Sequence, residues 1–444
     1  MNIYLKAIMG IVGINILTAM FLKPKYGIFV LLFLQIGLTQ STTGLSIVEI
    51  AYVFSFFTVL TGWIFSVLLK KRKLVNSPLN FPLTVFLVLC LCSVVKALSN
   101  GVEFMTWFTD WRAYLNLLLF FVIANDFESR EEIKWLIYSF LLVTVIITAK
   151  DLFSIYAQGY FLSEYHQEIA GIQFLSVYYL MGLPIAIALF IFNEKSKLKW
   201  LLLPLIMFFG LRLLVSLVRS YFLSILLSIG VVLIYAIKLR RKKAVLPLII
   251  IPVICGLIFT TSLSQIITVS QTYVKRFLVL KDFESRSNFS ALSRIAEVKA
   301  VASKSLEQLP MGHGFGIKYQ YYRPNLEWHD ASYVHFTPLY FLLTMGILGF
   351  STIIWLVIQA LRVNWYVFKK EQNLYWKGIA LALYANATAI ITISLFADII
   401  LTQTSIFYLA LSMGIISAMK ATDDAGSLYV DLSVIENSEI VPQI

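Results

Sequence analysis

Charge is scarce in this chain. Of its 444 residues only 14% are Asp, Glu, Lys or Arg, while 59% are hydrophobic, and a water-soluble domain cannot cover that much apolar surface with so few charges. Cysteine numbers three and histidine four. Cys90, Cys92 and Cys255 all fall inside apolar runs, which argues against a disulfide framework and against a thiolate metal site. The histidines form no His-Glu-x-x-His or comparably compact ligand pair, so no metal and no cofactor is expected. The net charge of +12 is divided among short clusters between apolar runs. That is the pattern of topology signals rather than of a nucleic-acid surface, and no nucleic-acid partner is expected. A cleavable leader is not expected either: the first apolar run, 5–22, leads into Lys23-Pro24-Lys25 without a small-residue cleavage site and reads as a span.

What the chain has in abundance is apolar runs long enough to cross a hydrocarbon core of ~30 Å. They lie near 5–22, 26–42, 45–69, 81–99, 111–125, 133–155, 169–192, 198–216, 219–238, 244–262, 336–360, 377–397 and 402–419. The expected fold is therefore all-α, a polytopic membrane protein of about 12–14 transmembrane helices with one long external loop carrying an amphipathic helix. The expected divisions are an N-terminal bundle over 1–262, the external loop over 263–336, C-terminal spans over 337–419 and a disordered cytoplasmic tail over 420–444. Lys and Arg concentrate on alternate loops, with Lys23, Lys25, Lys70 to Lys73, Arg130, Lys134, Arg240 to Lys243, Arg362, Lys369, Lys370, Lys377 and Lys420 on one side. The positive-inside rule makes that side cytoplasmic and the long loop external. Glu49, Lys96, Arg112, Lys150, Asp151, Arg212, Arg219 and Asp398 then fall in the outer half of their spans. Intramembrane charge is expensive, so this distribution predicts a polar chamber beneath the loop.

The loop carries a pattern of its own. Leu292, Ile295, Val298, Ala302, Leu306 and Leu309 recur at helical spacing, and Pro310-Met311-Gly312 ends the run. Gly312, Gly314 and Gly316 follow as a tight turn, and three of the four histidines, His313, His329 and His335, sit nearby. Arginine forks grip phosphate oxygens and never lose their charge, while a neutral imidazole is a natural general base for a hydroxyl. Group transfer at the outer leaflet uses these features together. A transporter with its site at the midplane does not, although a glycolipid flippase or polysaccharide carrier would also need a basic outer chamber.

These residues resemble the O-antigen ligase and O-antigen polymerase family of bacterial envelope enzymes. Arg294 heads the loop helix, Gly312, Gly314 and Gly316 form the turn, and His335 precedes a span containing Gly346-Ile347-Leu348-Gly349. Ser216 to Ser220, with Arg219, resembles the family's entry into this region, and Phe336 stands where the family commonly has Asn. The resemblance implies an inverting, metal-independent glycosyltransferase in the bacterial inner membrane, with its active site on the periplasmic face. The implied donor is an undecaprenyl-diphosphate-linked oligosaccharide, and the acceptor is lipid A-core in a ligase or a lipid-linked glycan in a polymerase. His335 is the expected base, with His329 beside Asp330 as the alternative. Arg219, Arg294 and Arg212 are the expected ligands of the donor diphosphate, and His313, His329 and Gly314 are candidate substrate contacts.

Overall fold

The computed structural model describes residues 3–38, 46–69, 74–157, 177–193, 197–216, 219–241, 244–248, 289–323, 327–332, 334–397 and 402–438. A backbone in hydrocarbon must satisfy its own hydrogen bonds, so the apolar runs become helices. In order they are α1 (Ile3–Leu22), α2 (Pro24–Leu34), α3 (Ile47–Leu68), α4 (Asn80–Ser99), α5 (Phe104–Leu115), α6 (Leu119–Asp126), α7 (Arg130–Ala157), α8 (Val177–Phe192), α9 (Leu202–Ser216) and α10 (Arg219–Lys238). The loop contributes α11 (Phe289–Glu307) and two strands, β1 (Tyr319–Arg323) and β2 (Glu327–Ala331). Three more helices close the chain: α12 (Thr337–Lys370), α13 (Leu374–Ser394) and α14 (Gln403–Ser438). Among the described residues seven helices are long and apolar enough to cross a membrane, and three shorter apolar helices accompany them. The protein is an all-α polytopic membrane protein.

Helix α8 occupies the interior. All of its residues, Val177 to Phe192, are buried, as expected of a helix that is apolar on every face. It packs on α7, α9, α10 and α13, and α13 in turn packs on α10 and α12. At one end of the bundle Lys25 pairs with Glu132, and Arg130 pairs with Glu371 at 2.8 Å while its guanidinium lies over the Trp376 ring. Lys377 donates to the Glu371 carbonyl at 3.0 Å. These contacts join three loops that the Lys and Arg distribution assigns to a common side.

Several expectations change. Glu49 is spent on the start of α3, where it and Ser46 form a reciprocal capping box. The last helix continues past Lys420 to Ser438, so the backbone of the expected disordered tail is helical up to that point. The aromatic-rich segment of the loop forms a hairpin, with Tyr319 opposite Ala331 and Tyr321 opposite His329. In α11 the apolar positions do not form the packed face. Glu297, Val301 and Ser305 are buried, while Ile295, Val298, Leu306 and Leu309 are exposed. Residues 263–288, which begin the expected loop, and Asp398 lie outside the described residues, as does most of the expected span over 244–262.

Candidate functional site

The site is organised by a break in a membrane helix. Gly346, inside α12, has φ 66° and ψ −164°, a conformation open essentially to glycine alone. The break leaves carbonyls without helical partners, and the turn that follows α11 supplies donors to them. His313 N–H donates to Leu343 O at 2.8 Å and Gly314 N–H to Thr344 O at 2.9 Å; in return Ile347 N–H donates to Leu309 O at 2.7 Å. Ser93 of α4 donates its hydroxyl to Thr344 O as well, at 3.0 Å. Gly312 and Gly346 have positive φ and lie backbone to backbone: a Cβ on Gly312 would stand 2.5 Å from Gly346 N. A Cβ on Gly314 would stand 2.4 Å from Ala97 N in α4, and one on Gly316 2.8 Å from Trp107 N in α5. The glycine turn is thus a plug that fits against three helices.

The plug fixes α11 against the start of α12 and so sets Glu297 beside His335. His335 Nδ1–H donates to the Glu297 carboxylate, at 3.0 Å from Oε2 and 3.2 Å from Oε1, and the His335 backbone N–H lies 3.4 Å from Oε1. Tyr319, the first residue of β1, donates its hydroxyl to the same Oε1 at 2.8 Å. Burial pushes the Glu297 carboxyl up, but the hydrogen bonds and charge of His335 and the Tyr319 hydroxyl outweigh it, and the group sits below the usual carboxylate range. Glu297 is 2% exposed and the His335 side chain 33%, so an ionised, buried carboxylate holds an imidazole that reaches the surface of the site. The pairing assigns the proton of a neutral ring to Nδ1 and its lone pair to Nε2, the form a general base requires.

A second carboxylate braces the same region. Asp110 of α5 accepts from Gly316 N–H at 3.0 Å and from the Tyr340 hydroxyl at 3.1 Å, tying the plug to the first turns of α12.

The other residues named from sequence are dispersed. His313 is buried; its Nε2–H donates to Lys304 O at 2.8 Å, and its carbonyl accepts from Asn100 Nδ2 at 2.8 Å. His313 and Gly314 therefore hold the plug in place. His329 packs edge-on against Tyr321, with ring centroids 5.4 Å apart. Asp330 does not orient it, because neighbouring residues of a strand point to opposite faces, and Asp330 is exposed. Arg294 is exposed one helical turn before Glu297. Arg219 is the first residue of α10, and its side chain lies outside the described part of the structure. Arg212 is fully buried, donates to Asp151 Oδ2 at 3.3 Å and lies over the Tyr179 ring. Among the described residues no three of the His, Cys, Asp and Glu side chains converge as metal ligands would.

Sequence reasoning missed Glu297, Tyr319 and Asp110. A signal for Glu297 was present, since it follows Arg294 by three residues and shares a helical face with Val301 and Ser305. Nothing local marked Asp110, whose partners are more than 200 residues away in sequence.

Residues 203–354 match the family model described as O-antigen ligase. Over that stretch the chain is similar to the O-antigen ligase family. The matched span includes Arg212, Arg219, α11, the plug, the hairpin, the His335–Glu297 pair and the Gly346 break, whereas Asp110 and Asp151 lie outside it. The match supports a function of the O-antigen ligase or polymerase type in general. No curated protein matches the chain.

Proposed function

We propose that the protein is a metal-independent, inverting glycosyltransferase of the bacterial inner membrane, working at the outer leaflet on an undecaprenyl-diphosphate-linked glycan, with His335 as its general base. The observation that carries this reading is the hydrogen bonding of His335 Nδ1 to the buried Glu297 carboxylate. In the reaction the acceptor hydroxyl loses its proton to His335 Nε2 as its oxygen bonds to the anomeric carbon. The bond from that carbon to the diphosphate oxygen breaks on the opposite face, and undecaprenyl diphosphate leaves with the electron pair. The Glu297 carboxylate stabilises the imidazolium that forms, as an orienting acid does in other His-based sites. The ring resets by releasing its proton to water.

Arg294 and Arg219 are the proposed ligands of the diphosphate. Arg294 is exposed on the helix that bears Glu297, and Arg219 opens a helix whose N-terminal dipole also favours anions. Arg212 is assigned instead to its ion pair with Asp151. The acceptor is lipid A-core or a second lipid-linked glycan, which makes the protein a ligase or a polymerase respectively.

The test is to incubate purified protein with undecaprenyl-diphosphate-linked oligosaccharide, with and without lipid A-core, and to look for a new glycosidic bond together with released undecaprenyl diphosphate. Movement of the glycolipid across a vesicle with no new bond would identify a carrier instead. Full turnover by His335→Ala would remove the assigned base.

A further inference from the structure

The hairpin presents two unlike faces. Tyr319, Tyr321 and Ala331 are buried on one, with His329 between them. The opposite face carries Gln320 and Asp330 as one cross-strand pair and Tyr322 and Trp328 as the next. All four are exposed, Trp328 at 71%, and the Tyr322 and Trp328 rings meet edge to face with centroids 5.4 Å apart. The proposed base does not use this face.

We infer that Gln320, Tyr322, Trp328 and Asp330 form a sugar-binding platform that holds the glycan chain outside the catalytic dyad. This inference rests on the reading of the protein as a glycan transferase. Rigid aromatic side chains offer a large flat apolar surface at little entropic cost, and Tyr and Trp add a polar edge. Such a surface suits the C–H face of a pyranose ring. The Gln320 amide and the Asp330 carboxylate, one cross-strand pair away, supply the acceptors and donors that ring hydroxyls need. Position supports the same ligand. Tyr319, on the strand that carries Gln320 and Tyr322, is bonded to the carboxylate that holds His335. At about 3.4 Å per strand residue, the aromatic pair stands a few sugar units from the base. Aromatic side chains also collect at membrane interfaces, but Asp330 and Gln320 on the same face add polar groups suited to ring hydroxyls.

The experiment uses full-length protein in detergent carrying His335→Ala, so that binding is read apart from turnover. Its ligand is the free oligosaccharide released by mild acid from the host strain's lipid-linked pool. Two quantities are measured: oxidative footprinting of Trp328 by mass spectrometry with and without oligosaccharide, and the oligosaccharide dissociation constant. Protection of Trp328, a tenfold or greater weakening in Trp328→Ala and in Tyr322→Ala, and recovery of most of the affinity in Trp328→Tyr are expected. Unchanged affinity in both alanine variants, with Trp328 equally oxidised in the two conditions, would overturn the platform. Quenching by brominated lipid in vesicles of the emission lost in Trp328→Tyr, unaffected by oligosaccharide, would overturn it in favour of a membrane contact. Neither outcome touches the role of His335, which is judged by bond formation in the active protein.

Discussion

Gly312 and Gly346 touch through their backbones, and no side chain fits on either. A Cβ on Gly346 would stand 2.5 Å from Leu309 O and 2.6 Å from Gly312 N, and both residues hold positive φ. The contact joins the turn after α11 to the interior of a membrane helix, and through it the position of α11, and hence of Glu297, is coupled to the start of α12.

Alanine at either position is expected to destabilise the protein by about 1–3 kcal/mol from backbone strain alone, with the steric conflict added. A Cβ on Gly230 in α10 would meet nothing within 4 Å, and Gly230→Ala is expected to be neutral or slightly stabilising, since alanine favours helix by up to ~1 kcal/mol. Thermal unfolding of the three variants in detergent checks this. Equal melting temperatures for Gly346→Ala and Gly230→Ala would mean that the break in α12 does not anchor the plug.

Glu297→Gln keeps the shape of the side chain and removes its charge. Turnover is expected to fall, though by less than the ~10²–10⁴ that general-base catalysis contributes and that His335→Ala forfeits, because the amide oxygen still accepts from Nδ1–H. The pH dependence of stability has a definite sign. A carboxylate whose folded pKa is depressed stabilises the fold above its unfolded pKa of ~4.3 and loses that contribution as pH falls through the folded value. Wild-type protein should therefore show a loss of melting temperature in that acid window that Glu297→Gln lacks. Identical acid profiles would show that Glu297 does not couple to folding.

The two arginines proposed for the donor make a separate prediction. Arg294→Ala and Arg219→Ala should each weaken donor use by roughly 1.5–3 kcal/mol, the worth of a hydrogen bond to a charged group. Lysine should restore only part of it, having no planar fork. The effect should appear in donor KM and in affinity for undecaprenyl diphosphate, with melting temperature unchanged. Wild-type donor affinity in both variants would remove the assignment.

The helices are legible in the sequence because hydrocarbon leaves the polar backbone of an apolar segment almost no alternative, and the expected spans over 81–99 and 219–238 fall within a residue of α4 and α10. His335, the glycine turn and the Gly346-x-x-Gly349 segment are legible as a motif. What the motif does not reveal is how its parts fit: three positive-φ glycines and a fourth in α12 are one plug and its socket. The packed face of α11 is hidden by the same physics that exposes the helices. Hydrophobic periodicity finds the face that leaves water, but beside a membrane an apolar stripe such as Ile295, Val298 and Leu306 need not pack on protein, and the inward face here carries Glu297. Arg212 stands out in the sequence as an unusual charge in an apolar segment. Its partner, Asp151, belongs to the same set of charges expected near one face, yet sequence offers no means of pairing them across 61 residues.

That pair supports the last prediction. Arg212 is fully buried against Asp151 and Tyr179 at the packing of α7, α8 and α9. Removing one member of a buried pair leaves the other charge uncompensated, which typically costs about 3–5 kcal/mol, whereas replacing both with apolar residues of similar volume is often neutral. Asp151→Asn and Arg212→Met should each lower the melting temperature sharply, and the double variant Asp151→Leu with Arg212→Met should recover much of the loss. Donor KM in the double variant should remain near wild type if the pair is structural. A stable double variant that no longer binds undecaprenyl diphosphate would instead return Arg212 to the donor site, with Asp151 as the group that holds its guanidinium in place.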